Sequence, residues 1–274
     1  MKKNRLLKLF GQMVLFAFTL LFLSPIIYMI LNSFKPYSQM LKAPWSFPDT
    51  LFLDNYIKAA GQMDLIRSFS NSLIITVVSV FLIVVLGALA AYPITRFSNK
   101  LTHFLSVYFL SGYMVPTQVL IVQIFTVMKK LQLLNTKTGL ILVYAASVSF
   151  AIFMYQGFIR AIPVDMEESA LMDGAKPWQL FWRIVFPLLK PTTVTIIIFQ
   201  VMWIWNDFVL SSLFLSSNKN MTLILELHQC IGEFSLDWSV MLAIMCIVML
   251  PMVIFYLLMQ KQIIAGMTSG ALKG

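Results

Sequence analysis

Six stretches of mainly apolar residues constrain this chain more than any other feature. They run from Gly11 to Asn32, Ser70 to Pro93, Phe104 to Met128, Gly139 to Ile159, Thr192 to Leu215 and Ser239 to Gln260. About 20 such residues let an α-helix cross the hydrocarbon core of a bilayer. A helix satisfies its own backbone donors and acceptors there, where no water can do so. Composition agrees, with 59% of the 274 residues hydrophobic and 11% charged, against about 45–50% and about 25% in soluble domains. The expected fold is all-α: a polytopic membrane protein with six transmembrane helices, a single transmembrane domain over residues 1–274.

An even number of spans puts both termini on one side of the membrane. Lys2, Lys3, Arg5 and Lys8 assign that side to the cytoplasm, because positive charge is retained inside. Most of the net charge of +9 sits at span ends, so a nucleic acid is not an expected partner. The Lys129–Lys130 pair falls outside and runs against the bias. The apolar run from Met13 to Leu31 is longer than the roughly 7–15 residues of a signal-peptide core, and reads as an uncleaved first span. The polar connector Phe34–Phe69 carries Trp45 and Tyr56, side chains that favour a membrane interface.

Gly87 and Ala91 make a small-residue face, and Ala145, Ala146, Ser149 and Ala151 crowd another span; close helix packing in lipid uses such positions. Cys230 and Cys246 fit neither a disulfide framework nor a metal site. The chain has no GxxxxGK[ST] loop, no H-E-x-x-H, no G-x-S-x-G and no CxxC, and His103 and His228 flank different spans. Neither catalysis nor a bound metal or cofactor is expected. If ATP drives this chain, another subunit must bind it.

The one long polar segment in the second half is Glu167–Pro187, EESALMDGAKPWQLFWRIVFP. Pro163 suits the first turn of a helix. Glu167 and Glu168 follow near its N-terminus, where the helix dipole favours negative charge. Gly174 permits a left-handed stop. Pro177 can start a second short helix and Pro187 is expected to end it. A helix pair hinged on Gly174 between two spans would make a rigid knob on the membrane surface. The pattern Glu168-Ser169-Ala170, three residues, Gly174, nine residues, Ile184-Val185-Phe186-Pro187 resembles the EAA motif of ABC importer permeases. That motif reads E-A-A, three residues, G, nine residues, I-x-L-P; Ser169 replaces the first Ala and Phe186 the Leu. The resemblance implies that segment 163–187 is a cytoplasmic coupling helix that docks into a cleft on an ATPase subunit. It assigns the contact to Glu167, Glu168, Ser169, Ala170, Asp173, Gly174, Ala175, Ile184 and Pro187.

Asp207 is the only acidic residue in the six stretches. A charge at mid-bilayer costs about 2.5–3.5 kcal/mol unless it faces protein or water. It either caps or cross-links helices, or it takes a sugar hydroxyl beside the aromatic faces of Trp203 and Trp205 and the carboxamide of Asn206. Trp205-Asn206-Asp207-Phe208 resembles the WND-F segment in the fifth span of carbohydrate-type permeases. Pro116 is expected to kink the third stretch, and Gln118 beside it is a further candidate for the substrate path. The ending Gly266-Met267-Thr268-Ser269-Gly270-Ala271-Leu272-Lys273-Gly274 is read as short and flexible. It resembles the tail of the second permease in maltose-type importers, where the tail (here residues 264–274) reaches between the ATPases. Gly266, Thr268, Gly270, Lys273 and Gly274 carry that likeness.

These resemblances imply a sugar importer permease in the plasma membrane, with an oligosaccharide as the first choice of substrate. They imply a second homologous permease, two ATPase subunits holding ATP and Mg, and an extracellular or periplasmic sugar-binding protein. A permease for a non-sugar solute stays open. A self-contained secondary carrier or channel would need intramembrane ionisable residues and, for many carriers, inverted repeats; Asp207 stands alone and no repeat is evident.

Overall fold

The computed structural model describes residues 2–233 and 237–271, with side chains over 8–231 and 237–263. Among them every regular element is helical. In chain order they are α1 (Lys2–Ser33), α2 (Tyr37–Lys42), α3 (Asp54–Gln62), α4 (Leu65–Arg96), α5 (Lys100–Met114), α6 (Thr117–Lys130), α7 (Lys137–Ala146) and α8 (Ser149–Ile159). Then come α9 (Val164–Met172), α10 (Pro177–Leu180), a π turn (Phe181–Val185), α11 (Phe186–Leu188), α12 (Lys190–Trp205), α13 (Val209–Phe214), a 3-10 turn (Asn218–Asn220), α14 (Leu223–Glu233) and α15 (Trp238–Ala271).

Among the described residues, four helices are long and apolar enough to cross a membrane: Lys8–Ser33, Leu65–Arg96, Lys137–Ile159 and Trp238–Ile263. They cover the first, second, fourth and sixth expected stretches. The third is bent within itself, and the chain bends again just before the fifth. Lys100–Met114 and Thr117–Lys130 meet at 103°, and Pro177–Leu188 and Lys190–Trp205 meet at 70°. If each bent pair is one span, the total is six. The bend at Pro116 exceeds the kink expected there. Proline removes a helical hydrogen bond and forces its predecessor out of the helical region; Val115 has ψ 120° and Pro116 ψ 129°. The fifth stretch was drawn to Leu215, yet α12 stops at Trp205 and three non-helical residues precede α13.

Backbone contacts divide the chain into two compact units. One comprises Met1–Leu65 and Glu226–Pro251. Its organising residue is Lys35, which is fully buried. The ammonium donates to Asn32 Oδ1 at 3.1 Å, the Ala43 carbonyl at 2.9 Å and the Pro44 carbonyl at 3.1 Å. Burial pushes that ammonium below its ordinary value, and Asp49 partly offsets the shift. Asn55 Nδ2 donates to the carbonyls of Ser33 and Lys35 at 2.9 and 2.8 Å. The Tyr56 hydroxyl lies 2.8 Å from that of Ser33, and burial pushes it up to about 12. The connector after α1 is thus folded back onto the end of that helix.

The other unit comprises Ile66–Leu225 and Met252–Gly274. Along α4, Ile75, Ser79, Ile83, Gly87 and Ala91 are buried at a four-residue spacing, one face of a helix. A Cβ built on Gly87 would stand 2.7 Å from that of Ala151. The small-residue faces expected on two spans therefore meet, and they let α4 and α8 approach closely. Tyr144, Tyr155, Ile159, Val185, Leu189 and Ile196 complete the buried core.

Candidate functional site

The polar segment is built as two short helices on a stop. After α8, Pro163 occupies the position before α9, with φ −58° and ψ 132°. It flanks the helix instead of opening its first turn, because its ψ lies outside the helical region. Gly174 has φ +85°. The amide of Ala175 donates to the Ala170 carbonyl and that of Gly174 to the Leu171 carbonyl, both at 3.0 Å. This pair of bonds is the Schellman closure of a helix C-terminus. Pro177 then takes the first position of α10, where its missing N–H would be unpaired in any case. The Gln179 side chain accepts the Lys176 amide at 2.9 Å.

Pro187 does not end the second helix. It lies inside α11, after the π turn. The wider turn, closed by the Phe186 amide on the Phe181 carbonyl, accommodates a ring that would otherwise crowd the preceding turn. The chain bends at Leu189 instead, two residues before Pro191, which again lacks an amide hydrogen.

Glu167 and Glu168 part company in space. Glu168 is exposed and Glu167 is buried. Arg96, the last residue of α4, grips the Glu167 carboxylate through Nη2 at 2.6 Å and Nε at 2.8 Å. The Tyr92 hydroxyl donates to the other carboxylate oxygen at 2.7 Å, and Arg96 Nη2 also donates to the Ile162 carbonyl at 3.0 Å. Phe181 packs on Tyr92 with ring centroids 5.5 Å apart. Both halves of the segment are thereby fixed to the end of one long helix. Arg96 and Tyr92 escaped the reading of the sequence. Their signal is a four-residue spacing at a span end, which puts both on one helix face beside the polar segment.

Ser169, Asp173, Gly174 and Pro187 are exposed; Ala170, Ala175 and Ile184 are half-buried, and Ala170 and Ile184 pack against the core. Met166, Leu171, Met172 and Trp178 are exposed as well, Met172 by 88% and Trp178 by 67%. Apolar side chains presented in this way mark interaction surfaces.

The second group of expected residues is only partly assembled. One oxygen of Asp207 accepts the Tyr144 hydroxyl at 2.7 Å and the amides of Leu210 and Ser211 at 3.0 and 3.4 Å. It thus caps α13 and cross-links it to α7. Trp203 sets its ring edge-on to Tyr144 at 5.6 Å. Trp205 is buried and packs on Phe69 instead; two residues apart, the two tryptophans leave α12 on different faces. Asn206 is exposed and returns its amide to the Met202 carbonyl at 2.7 Å. Gln118 is exposed on α6. Tyr144, which nothing in the sequence distinguished from a core aromatic, is the residue that joins Asp207 to Trp203.

The backbone of Gly266, Thr268 and Gly270 continues α15 as helix, where a flexible tail was expected. Lys273 and Gly274 lie outside the described residues. Among the described residues, no group of three or more His, Cys, Asp or Glu could hold a metal ion.

Against known proteins, the melibiose/raffinose/stachyose import permease protein MelC of Bacillus subtilis is 37% identical over 232 residues, 84% of each chain. The multiple sugar-binding transport system permease protein MsmG of Streptococcus mutans is 34% identical over 279 residues, the whole of both chains. A chain from the crystal structure of a bacterial ABC transporter that imports the acidic polysaccharide alginate superposes with a TM-score of 0.82. It is 21% identical, and the match covers 95% of this chain and 98% of that one, so it speaks for the fold. The family model described as binding-protein-dependent transport system inner membrane component matches residues 83–268, and the chain belongs to that family of membrane transport permeases.

Proposed function

We propose that this chain is the transmembrane permease subunit of an ATP-driven sugar importer, with an oligosaccharide as its cargo. The relatives that carry sugar names, matched over most or all of their length, support the class of cargo. In this reading the chain makes six spans, the third bent at Pro116 and the fifth starting with α12 after the surface segment, with both termini in the cytoplasm. It pairs with a second permease and with two ATPase subunits that hold the ATP and Mg, and an external sugar-binding protein delivers the sugar. The segment 163–187 is the coupling helix, and Glu168, Ser169, Asp173, Gly174 and Pro187 are its exposed contacts with the ATPase.

One observation carries the mechanical part: the segment is clamped to the end of α4 through buried Glu167. Coupling needs a stiff lever whose contacts differ between two states. A helix pair closed by a Schellman stop and held by a charge-assisted pair moves as one body with its span. Glu167 in this reading transmits force and does not itself touch the ATPase. Asp207, Tyr144 and Trp203 form a polar and aromatic cluster suited to a sugar hydroxyl, whereas Trp205 belongs to the packing. The experiment is co-purification of an ATPase with the tagged chain, followed by uptake against a panel of oligosaccharides. ATPase capture with uptake of at least one sugar is expected; a chain that purifies alone and transports without ATP contradicts the proposal.

A further inference from the structure

A groove of about 910 Å³ opens between α5, α8 and the start of α12. Arg160, just beyond the end of α8, and Lys190, the first residue of α12, both line it and both are exposed. Neither forms an ion pair with a described residue, and no Asp or Glu lines the groove. Gln156 is 8% exposed at its wall. The carboxamide oxygen of Gln156 accepts the Ser106 hydroxyl at 3.1 Å, while its nitrogen bonds to no described residue and remains a donor. The first turn of the 16-residue α12 adds the positive end of a helix dipole. The rest of the wall is mainly apolar, with Phe109, Phe153 and Val194 on helices that belong to membrane-spanning segments, and with Thr192, Thr195 and Gln262 as its further polar members.

Two cations, a spare amide donor and a helix N-terminus at one end, with an apolar wall running away from them, match an anionic lipid. A free phosphate would have no use for the apolar wall. A neutral sugar would be met by carboxylates and ring faces, and the groove has no carboxylate. Basic pockets between transmembrane helices are where anionic headgroups bind. We propose that this groove holds one anionic phospholipid, its phosphate between Arg160 and Lys190 and an acyl chain along Phe109, Phe153 and Val194. The two cations stand at the two ends of the surface segment, after α8 and before α12. A phosphate bridging them fastens the points where that segment joins its spans.

The test is native mass spectrometry of the full-length chain in mixed phosphatidylglycerol and phosphatidylcholine. Three variants accompany the wild type: Arg160→Gln/Lys190→Gln, the charge-keeping Arg160→Lys/Lys190→Arg, and Lys100→Gln, an exposed cation outside the groove. The expected result is one retained phosphatidylglycerol in preference to phosphatidylcholine. Retention should fall about 25-fold in the double Gln variant, at about 1 kcal/mol per cation, persist in the charge-keeping variant and be unaffected at Lys100. A separate arm offers glycerol phosphate, which should not be retained. Equal retention of both lipids, an unchanged double variant, an equal loss at Lys100 or glycerol phosphate binding as tightly as the lipid would each overturn the proposal.

Discussion

Gly174 stands in open space, with nothing within 4 Å of where a Cβ would be built, yet its φ is +85°. The constraint is therefore backbone conformation and not room. A left-handed residue with a side chain costs about 1–2 kcal/mol, and a β-branched one more. Gly174→Val should insert at normal abundance but lose sugar-stimulated ATP hydrolysis in the assembled importer. Gly174→Asn, which tolerates that conformation, should keep most of it. Full stimulation in the Val variant would show that the turn does not matter for coupling. Asp207 is the other single residue with a separable role. Asp207→Asn keeps an oxygen for the Leu210 amide and for Tyr144, so abundance should stay near wild type while uptake falls. Asp207→Ala removes the cap, worth about 1 kcal/mol, and leaves the buried Tyr144 hydroxyl only the longer 3.4 Å contact with the Ser211 hydroxyl, for about 1 kcal/mol more. Its thermal midpoint should drop clearly below that of the Asn variant. Uptake by the Asn variant that matches wild type at every sugar concentration would leave Asp207 with its structural task alone.

Between elements, the Arg96–Glu167 pair and the α4–α8 contact make distinct predictions. Removing one partner of a buried pair costs about 3–5 kcal/mol in the interior; Arg96 and Glu167 are 13% and 7% exposed at their side chains, so the low end is expected. Arg96→Met should lower the melting temperature of the purified chain, whereas Glu168→Gln, on the exposed side of the same turn, should leave melting unchanged and weaken ATPase capture. A Glu168 variant that melts early while the Arg96 variant does not would reverse the assignment. Gly87→Leu forces a side chain into the 2.7 Å approach to Ala151. Overpacking of this kind costs about 1–3 kcal/mol, read as reduced abundance in membranes. The Gly stop, the Pro177 start and the small-residue faces were legible in the sequence, because each rests on what a single residue type can do with its own backbone. The fate of Pro187 was not, since it depends on a π turn set by packing of Phe181 and Val185. The partner of Glu167 was not legible either, because it lies 71 positions away in the chain.

For the whole molecule, apolar runs located the membrane-crossing candidates, four of them unbent helices among the described residues, because the bilayer demands length and hydrophobicity and little else. They did not reveal that the third run is bent through 103°, nor that the chain turns by 70° where the polar segment joins the fifth run. Proline can kink a helix slightly or break it, and only the surrounding packing decides which. The tail escaped for the same reason. Gly266 and Gly270 read as flexible by themselves, yet α15 carries their backbone on as helix to Ala271. Deleting residues 266–274 leaves every candidate span whole and should reduce ATPase capture without lowering membrane abundance; equal capture at low and moderate salt would remove the tail from the contact. The central claim is that ATP hydrolysis on partner subunits drives a sugar through this chain. The most direct measurement is uptake of labelled oligosaccharide into vesicles holding the assembled importer, with ATP or a non-hydrolysable analogue inside and the binding protein present or absent outside. Uptake that requires both ATP and binding protein, and survives dissipation of the proton gradient, is the expected result. Uptake that proceeds with the analogue, or collapses with the proton gradient while ATP remains, would contradict the account.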